Sequence, residues 1–235
     1  MRKPSHSNVT HGIVEQLGHA VVAQAYGSKD SFPIEAELCK QFGVSRTVLR
    51  EAVKMLTAKG LLKARPRHGT WVQEESHWNL LDPDVLRWLL ERKFSLQLLA
   101  EFTEMRLAIE PMAAMLAATK ASPRAIARLH DGIDRMKAAD LGEDDPLESD
   151  IAFHVAVLHA TDNRFYAQLE DAIETALRIS IAFTNRFKGV ATADIKAHSK
   201  VLEHIEAGHP KKAYAAMETI IREVMELIDQ ARKKS

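Results

Sequence analysis

Three sets of residues have types and spacings that could do chemistry. Arg46, Thr47, Arg50 and Lys54 follow Ser45 at helical intervals, so cations and a hydroxyl share one side of a helix and suit an anionic partner. Asp150 and His154 stand four apart beside Phe153 and Val157, and His198 sits among Ile195, Val201, Leu202 and Ile205. One carboxylate and two imidazoles on inward faces could hold a divalent ion such as Zn²⁺ or Ni²⁺, or could serve as hydrogen-bonded core groups. Arg106 shares a sector with Leu99, Phe102, Ile109 and Ala113, so its guanidinium points inward and needs an anion. Glu110, one turn on, is one candidate, and the carboxylate of a bound ligand is the other.

The elements that must position these groups are mostly helical. Apolar residues at Ile13, Leu17, Ala20, Val21 and Tyr26 predict a helix over 12–26, broken by the stretch from Gly27 to Phe32. Pro33 suits the first turn of a second helix carrying Leu38, Cys39 and Phe42 and ending at Gly43. Ser45 is the N-cap of a third, whose core stripe is Leu49, Ala52, Val53 and Leu56. Beyond Gly60, the runs Leu61–Ala64 and Thr70–Gln73 predict a β-hairpin around Arg65, Pro66, Arg67, His68 and Gly69. A tight turn before a helix with Arg and Thr in its first turns is the geometry that seats a recognition helix in a major groove, with the basic hairpin tip as a wing along phosphates. Candidate DNA contacts are therefore Ser45, Arg46, Thr47, Arg50, Lys54, Arg65, Arg67, His68 and Gly69.

Composition agrees with this division. The 235 residues carry 32 basic and 32 acidic groups, yet residues 40–70 hold eight of the basic groups against Glu51 alone. A compact basic module on a neutral chain points to a polyanion partner for one part and another task for the rest, although a solvated charged face would have the same composition. Apolar runs of only a few residues exclude a membrane span and a secretory signal, and a lone Cys39 excludes an internal disulfide or a CxxC site, so a cytoplasmic protein with a buried Cys39 is expected. No GxGxxG, HExxH or GxSxG motif is present.

The segment from Gln73 to Leu81, with Trp78 in it, reads as a linker and the place where domains would move; Asp82 and Pro83 then open a helix. Beyond it only helical periodicity is found, interrupted at Ser122-Pro123, Gly142 to Pro146, Gly189 and Gly208 to Pro210. The expected architecture is mainly α: a winged helix-turn-helix of three helices and a hairpin over 1–75, then an all-α bundle over 76–235.

The run PIEAELCKQFGVSRTVLREAVKMLTAKGLLKARPRHGTWV resembles the winged helix of the GntR family of bacterial repressors, across nearly all of residues 10–73. The resemblance implies DNA contacts through Arg46, Thr47, Arg50, His68 and Gly69. Where the family often has Pro-Ser-Glu-Arg-Glu-Leu, this chain has Pro33-Ile34-Glu35-Ala36-Glu37-Leu38, without the capping serine and the arginine. Residues 80–230 resemble the FCD ligand-sensing domain of FadR-type members, through Glu104-Met105-Arg106-Leu107-Ala108-Ile109-Glu110-Pro111 and Asp150-Ile151-Ala152-Phe153-His154. That likeness implies a metal held by Asp, His, His and His; Asp150, His154 and His198 match three of these, and Ile220 takes the fourth place. His159, His204 and Asp194 are read as structural or solvent-facing. Trp78 to Leu90 is similar to regulators whose relatives sense sugar acids, which implies a polyhydroxy carboxylate effector. Arg106 would pair with its carboxylate, Asp150, His154 and His198 would meet its hydroxyls directly or through a metal, and Arg178 is a further candidate unless it is a surface arginine.

The expected function is a homodimeric repressor of a sugar-acid operon, bound to a pseudo-palindromic duplex and released by a small carboxylate. Two alternatives stand beside it. A metal-dependent hydrolase would use Asp150, His154 and His198 to activate water but would leave the basic hairpin module unexplained. An architectural DNA binder would leave the inward Arg106 and polar trio without a task.

Overall fold

The computed structural model describes residues 6–26, 32–65, 69–92, 95–188 and 193–234. Contacts divide the chain into two units, Met1–Phe94 and Ser95–Ser235. In the first, α1 (His6–Val22), α2 (Glu35–Phe42) and α3 (Arg46–Ala58) precede a hairpin of β1 (Leu62–Arg65) and β2 (Gly69–Val72), a 3₁₀ turn at Glu75–His77 and α4 (Pro83–Arg92). The core joins Ile13, Val14, Leu17 and Val21 of α1 to Leu38, Leu49, Ala52 and Leu56. Gly43 adopts the left-handed conformation that ends α2, and Ser45 Oγ accepts from the Val48 N–H to start α3. The strands are antiparallel, with Leu62 opposite Val72 and Arg65 opposite Gly69.

Several local expectations shift by a few residues. α1 begins at His6 and stops before Tyr26, because Gln24 turns the chain with a positive φ. Ile34, not Pro33, is the residue before the first turn of α2; the Glu37 carboxylate accepts its N–H, while no side chain takes the missing serine's part of accepting from the first turn. Each strand lies one residue from its expected range, Val53 is half-buried rather than core, and Cys39 is also half-buried.

The division of the chain differs from the expected break after residue 75. Helix α4 packs on α1, and Trp88 is fully buried with its indole N–H donating to Glu15 at 2.9 Å. Arg87 makes a fork to the same carboxylate at 2.8 and 2.7 Å. Lys59 Nζ bonds both Asp82 oxygens and Asp84, each at 2.8 Å, while the Asn79 N–H reaches the Lys59 carbonyl. Trp78 is buried, with its ring N–H on the Gln73 carbonyl. The segment expected to act as a hinge is thus fastened to the first unit by buried aromatic surface and a charge network. Gly18 leaves room for this packing: a Cβ there would lie 2.2 Å from the Trp88 ring. Although alanine is the better helix former by about 1 kcal/mol, Gly18→Ala is expected to lose roughly 1–3 kcal/mol of the first unit's stability through overpacking, read from urea unfolding. A more stable variant would show that Trp88 moves aside without cost.

The second unit is all α among the described residues: α5 (Leu96–Lys120), α6 (Pro123–Asp140), α7 (Pro146–His159), α8 (Arg164–Ala167), α9 (Glu170–Lys188), α10 (Ile195–Glu206) and α11 (Pro210–Lys234). Ser122, Asp145 and Asp194 cap α6, α7 and α10 through side-chain oxygens. Helix α11 buries Ala213, Met217, Ile221 and Ile228 along one stripe and lies against α5; α7 is held by α5, α6 and α9. The short α8 is absent from the expected pattern, since four residues are too few to show a period.

Candidate functional site

Three helices bring the inward polar groups of the second unit together. Arg106 and Glu110 are one turn apart on α5, Asp150 and His154 one turn apart on α7, and His198 lies in the first turns of α10; all five are buried. Asp150 Oδ1 lies 3.4 Å from His154 Nε2 and 3.2 Å from His198 Nε2, and the two Nε2 atoms are 3.4 Å apart. Phe153 packs edge-on to both imidazoles as an apolar wall.

The outer nitrogens of the imidazoles decide what the inner ones can do. His198 Nδ1 is 2.7 Å from the Asp194 carbonyl, which can only accept, so this nitrogen carries the hydrogen and a neutral His198 points a lone pair inward. His154 Nδ1 is 2.5 Å from Glu110 Oε2, and Glu110 in turn accepts from Arg106 Nε at 2.5 Å. Burial works to raise the Glu110 pKa, but Arg106 and then His154 outweigh it and hold the group at about 2. An anionic Glu110 fixes the His154 hydrogen on Nδ1. Asp150 Oδ1 is buried and has no hydrogen bond. Burial opposes its charge too, yet the two imidazoles hold it well below the usual carboxylate range. For His154, burial favours the neutral ring, while Glu110 and Asp150 prevail and raise it to about 9.

An ionised carboxylate and two oriented imidazoles therefore face one point, and the arrangement is satisfied either by a proton held on His154 or by a cation. The donor set, an oxygen and two nitrogens whose backing groups fix their tautomers, fits a divalent transition ion. Arg106, Asp150, His154 and His198 all line a cavity of about 60 Å³, with Ser180, Thr184 and Asn185 of α9 and Ile220 and Glu223 of α11 around it. Ser180 Oγ is buried there without a hydrogen-bond partner.

Of the expected residues, the structure unites Arg106, Asp150, His154 and His198 and excludes Arg178. Arg178 is part-exposed and forms ion pairs with Glu148 and Glu174, away from the cavity. Its angle opposite Ile173 and Leu177 already pointed outward. The question of Arg106's partner resolves to Glu110, with the guanidinium still at the cavity wall. Ile220 does line the cavity, and no donor replaces it at that position. Asp194 caps α10 and also orients His198, and His159 pairs with Glu170. Sequence reasoning missed the bond from Glu110 to His154, which links residues 44 apart, and missed Ser180, whose spacing of three from Leu177 was a usable signal.

In the first unit, α3 presents Arg46, Thr47, Arg50 and Lys54 exposed on one side, with Ser45 as the N-cap. Gly69 opens β2 at φ 85°, which favours glycine. The side chain of Arg65, and Arg67 and His68, lie outside the described residues. Cations near the start of a helix and along its outer face, over a rigid apolar base, can contact phosphates and base edges. No helix among the described residues is long and apolar enough to cross a membrane.

Residues 10–72 match the bacterial regulatory proteins of the gntR family, and residues 101–223 match the FCD domain. The chain is 35% identical over 171 residues to the galactonate operon transcriptional repressor of Escherichia coli, covering 73% of this chain and 75% of that protein. It is 31% identical to the uncharacterized HTH-type transcriptional regulator YieP of Escherichia coli, covering 92% and 93%, and 27% identical to the Uxu operon regulator of Haemophilus influenzae, covering 84% and 67%. A solved structure of Lar, from Listeria monocytogenes, superposes with a TM-score of 0.59 at 16% identity over 98% of this chain and 99% of that one, a likeness of fold alone.

Proposed function

Because this chain belongs to the gntR family of bacterial regulatory proteins and carries an FCD domain, we propose that it is a homodimeric repressor of a sugar-acid operon, released from its operator by a small carboxylate. That it is a DNA-binding transcription regulator and not an enzyme follows from the family itself, which sets aside the hydrolase alternative. The architectural alternative has no use for the effector-type second unit.

The observation that carries the finer reading is the convergence of Asp150 Oδ1, His154 Nε2 and His198 Nε2 at a buried cavity whose wall also holds Arg106 and Ser180. Asp150, His154 and His198 would hold one divalent ion, Zn²⁺ or Ni²⁺; Ile220 leaves it three protein ligands. When bound, such an ion supplies positive charge and open positions for oxygen donors. Around it Arg106 attracts a carboxylate, and Ser180 and Thr184 offer hydroxyls to a polyol chain. The relatives named for galactonate and Uxu operons support an aldonate or uronate.

A cavity of about 60 Å³ is small beside the roughly 300–1,000 Å³ of ordinary ligand pockets. A six-carbon acid must widen it, and that requirement is a source of differential affinity between two conformations, which is what any release mechanism needs. Two copies of the first unit on a pseudo-palindrome would double the phosphate contacts of one weak module. This assignment places the protein in the cytoplasm, with the operator.

The test is to enrich a duplex from a random library with the purified protein, then titrate aldonates and uronates into that complex while following fluorescence anisotropy. Release by at least one acid is expected. A complex indifferent to all of them refutes the sensing account. On the same duplex, Arg50→Ala is expected to weaken binding at least about tenfold, the scale of one lost bidentate base contact, without changing effector affinity. Undiminished binding would remove Arg50 from the DNA face.

A further inference from the structure

Outside the cavity, the least expected arrangement lies on the reading head itself. Glu35, in the first turn of α2, reaches across to α3: Oε2 accepts from Arg50 Nε at 2.8 Å, and Oε1 lies 3.7 Å from Arg46 Nε. One carboxylate thus holds two candidate DNA-contacting arginines, 11 and 15 residues away in the chain. Both arginine side chains are largely exposed, at 73% and 66%, whereas the Glu35 side chain is only 34% exposed and its backbone is anchored by the cap that Glu37 makes to Ile34.

The contact uses the Nε edge of Arg50. A guanidinium gripped there keeps its two terminal nitrogens for a partner, and those are the donors that meet guanine O6 and N7 as a pair. An unrestrained arginine must lose its rotamer freedom on binding, and a preset fork loses less. The same carboxylate has an opposite effect on general attraction, because a negative charge at the edge of the interface opposes every phosphate regardless of sequence. A group that weakens attraction to all duplexes while ordering the side chains that read bases acts on discrimination.

Building on the regulator reading above, we propose that Glu35 is a positioning residue that sets sequence discrimination by orienting Arg50 and Arg46. Glu35→Asp separates the two effects, since it keeps the charge but shortens the reach by one methylene. Glu35→Gln keeps the reach and one acceptor oxygen but drops the charge. Anisotropy titrations of wild type and both variants, across a range of salt, would use the library-selected duplex and a scrambled duplex of equal length.

Glu35→Asp is expected to lower the ratio of selected to scrambled affinity about tenfold, one base contact's worth, with an unchanged salt slope. Glu35→Gln is expected to bind the scrambled duplex more tightly and to keep more of the ratio than the aspartate variant. A ratio unchanged in Glu35→Asp overturns the proposal, as does an equal loss on both duplexes. If wild type enriches no sequence at all, the regulator reading fails instead, so the two failures are told apart.

Discussion

Asp150→Ala is expected to take the divalent metal content of protein purified without chelator from near one ion per chain to near zero, and to abolish release of the DNA complex by sugar acids. The reason is local. Asp150 supplies the only carboxylate in the trio, and its Oδ1 lies buried between the two imidazole nitrogens without a hydrogen bond. Two neutral imidazoles alone give an ion neither charge compensation nor a third ligand, and Ile220 offers no substitute. Binding to the selected duplex should persist, because the basic face belongs to the other unit. Elemental analysis and anisotropy check both halves. A wild-type protein that carries no metal and takes up none on addition of Zn²⁺ or Ni²⁺ would contradict the metal assignment; a variant that still loads metal would move the site elsewhere.

Arg106→Leu is expected to destabilise the second unit by roughly 3–5 kcal/mol, the scale for breaking a buried ion pair and stranding its partner. Glu110 is fully buried, and its ionised state rests first on Arg106 and then on His154. The double variant Arg106→Leu/Glu110→Leu removes both charges, so it should recover much of the loss while still binding metal poorly, because nothing then fixes the His154 tautomer. Urea unfolding followed by elemental analysis separates the outcomes. Stability unrecovered in the double variant would mean that the pair matters through packing. Full metal binding in it would mean that Glu110 does not orient His154.

These expectations rest on features of unequal visibility in the sequence. The recognition helix was legible because its signal is local: the cap at Ser45, the stripe Leu49, Ala52 and Leu56, and the opposing cations fall within a few turns. Asp150, His154 and His198 were also legible, since a polar residue in an apolar stripe must point inward wherever the helix packs. That α4 packs back on the first unit, beyond the expected boundary after residue 75, was not legible, because a Pro-bearing helix start looks the same whether its helix packs forward or back; the contact of Trp88 with Gly18, 70 residues apart, is what shows it. The angle of Arg178 favoured the surface but did not close the question, since long arginines reach beyond their own sector until partners such as Glu148 and Glu174 hold them.

Taken by itself, the amino-acid order determined which faces are buried, which residue types lie on them and that a basic reading head precedes a helical bundle, because periodicity and capping act over one to four residues. Only the tertiary structure decided which inward groups meet. That Glu110 backs His154 and that Glu35 restrains Arg50 depend on how separate helices cross. Crossing is set by side-chain packing over the whole unit rather than by any spacing along one helix.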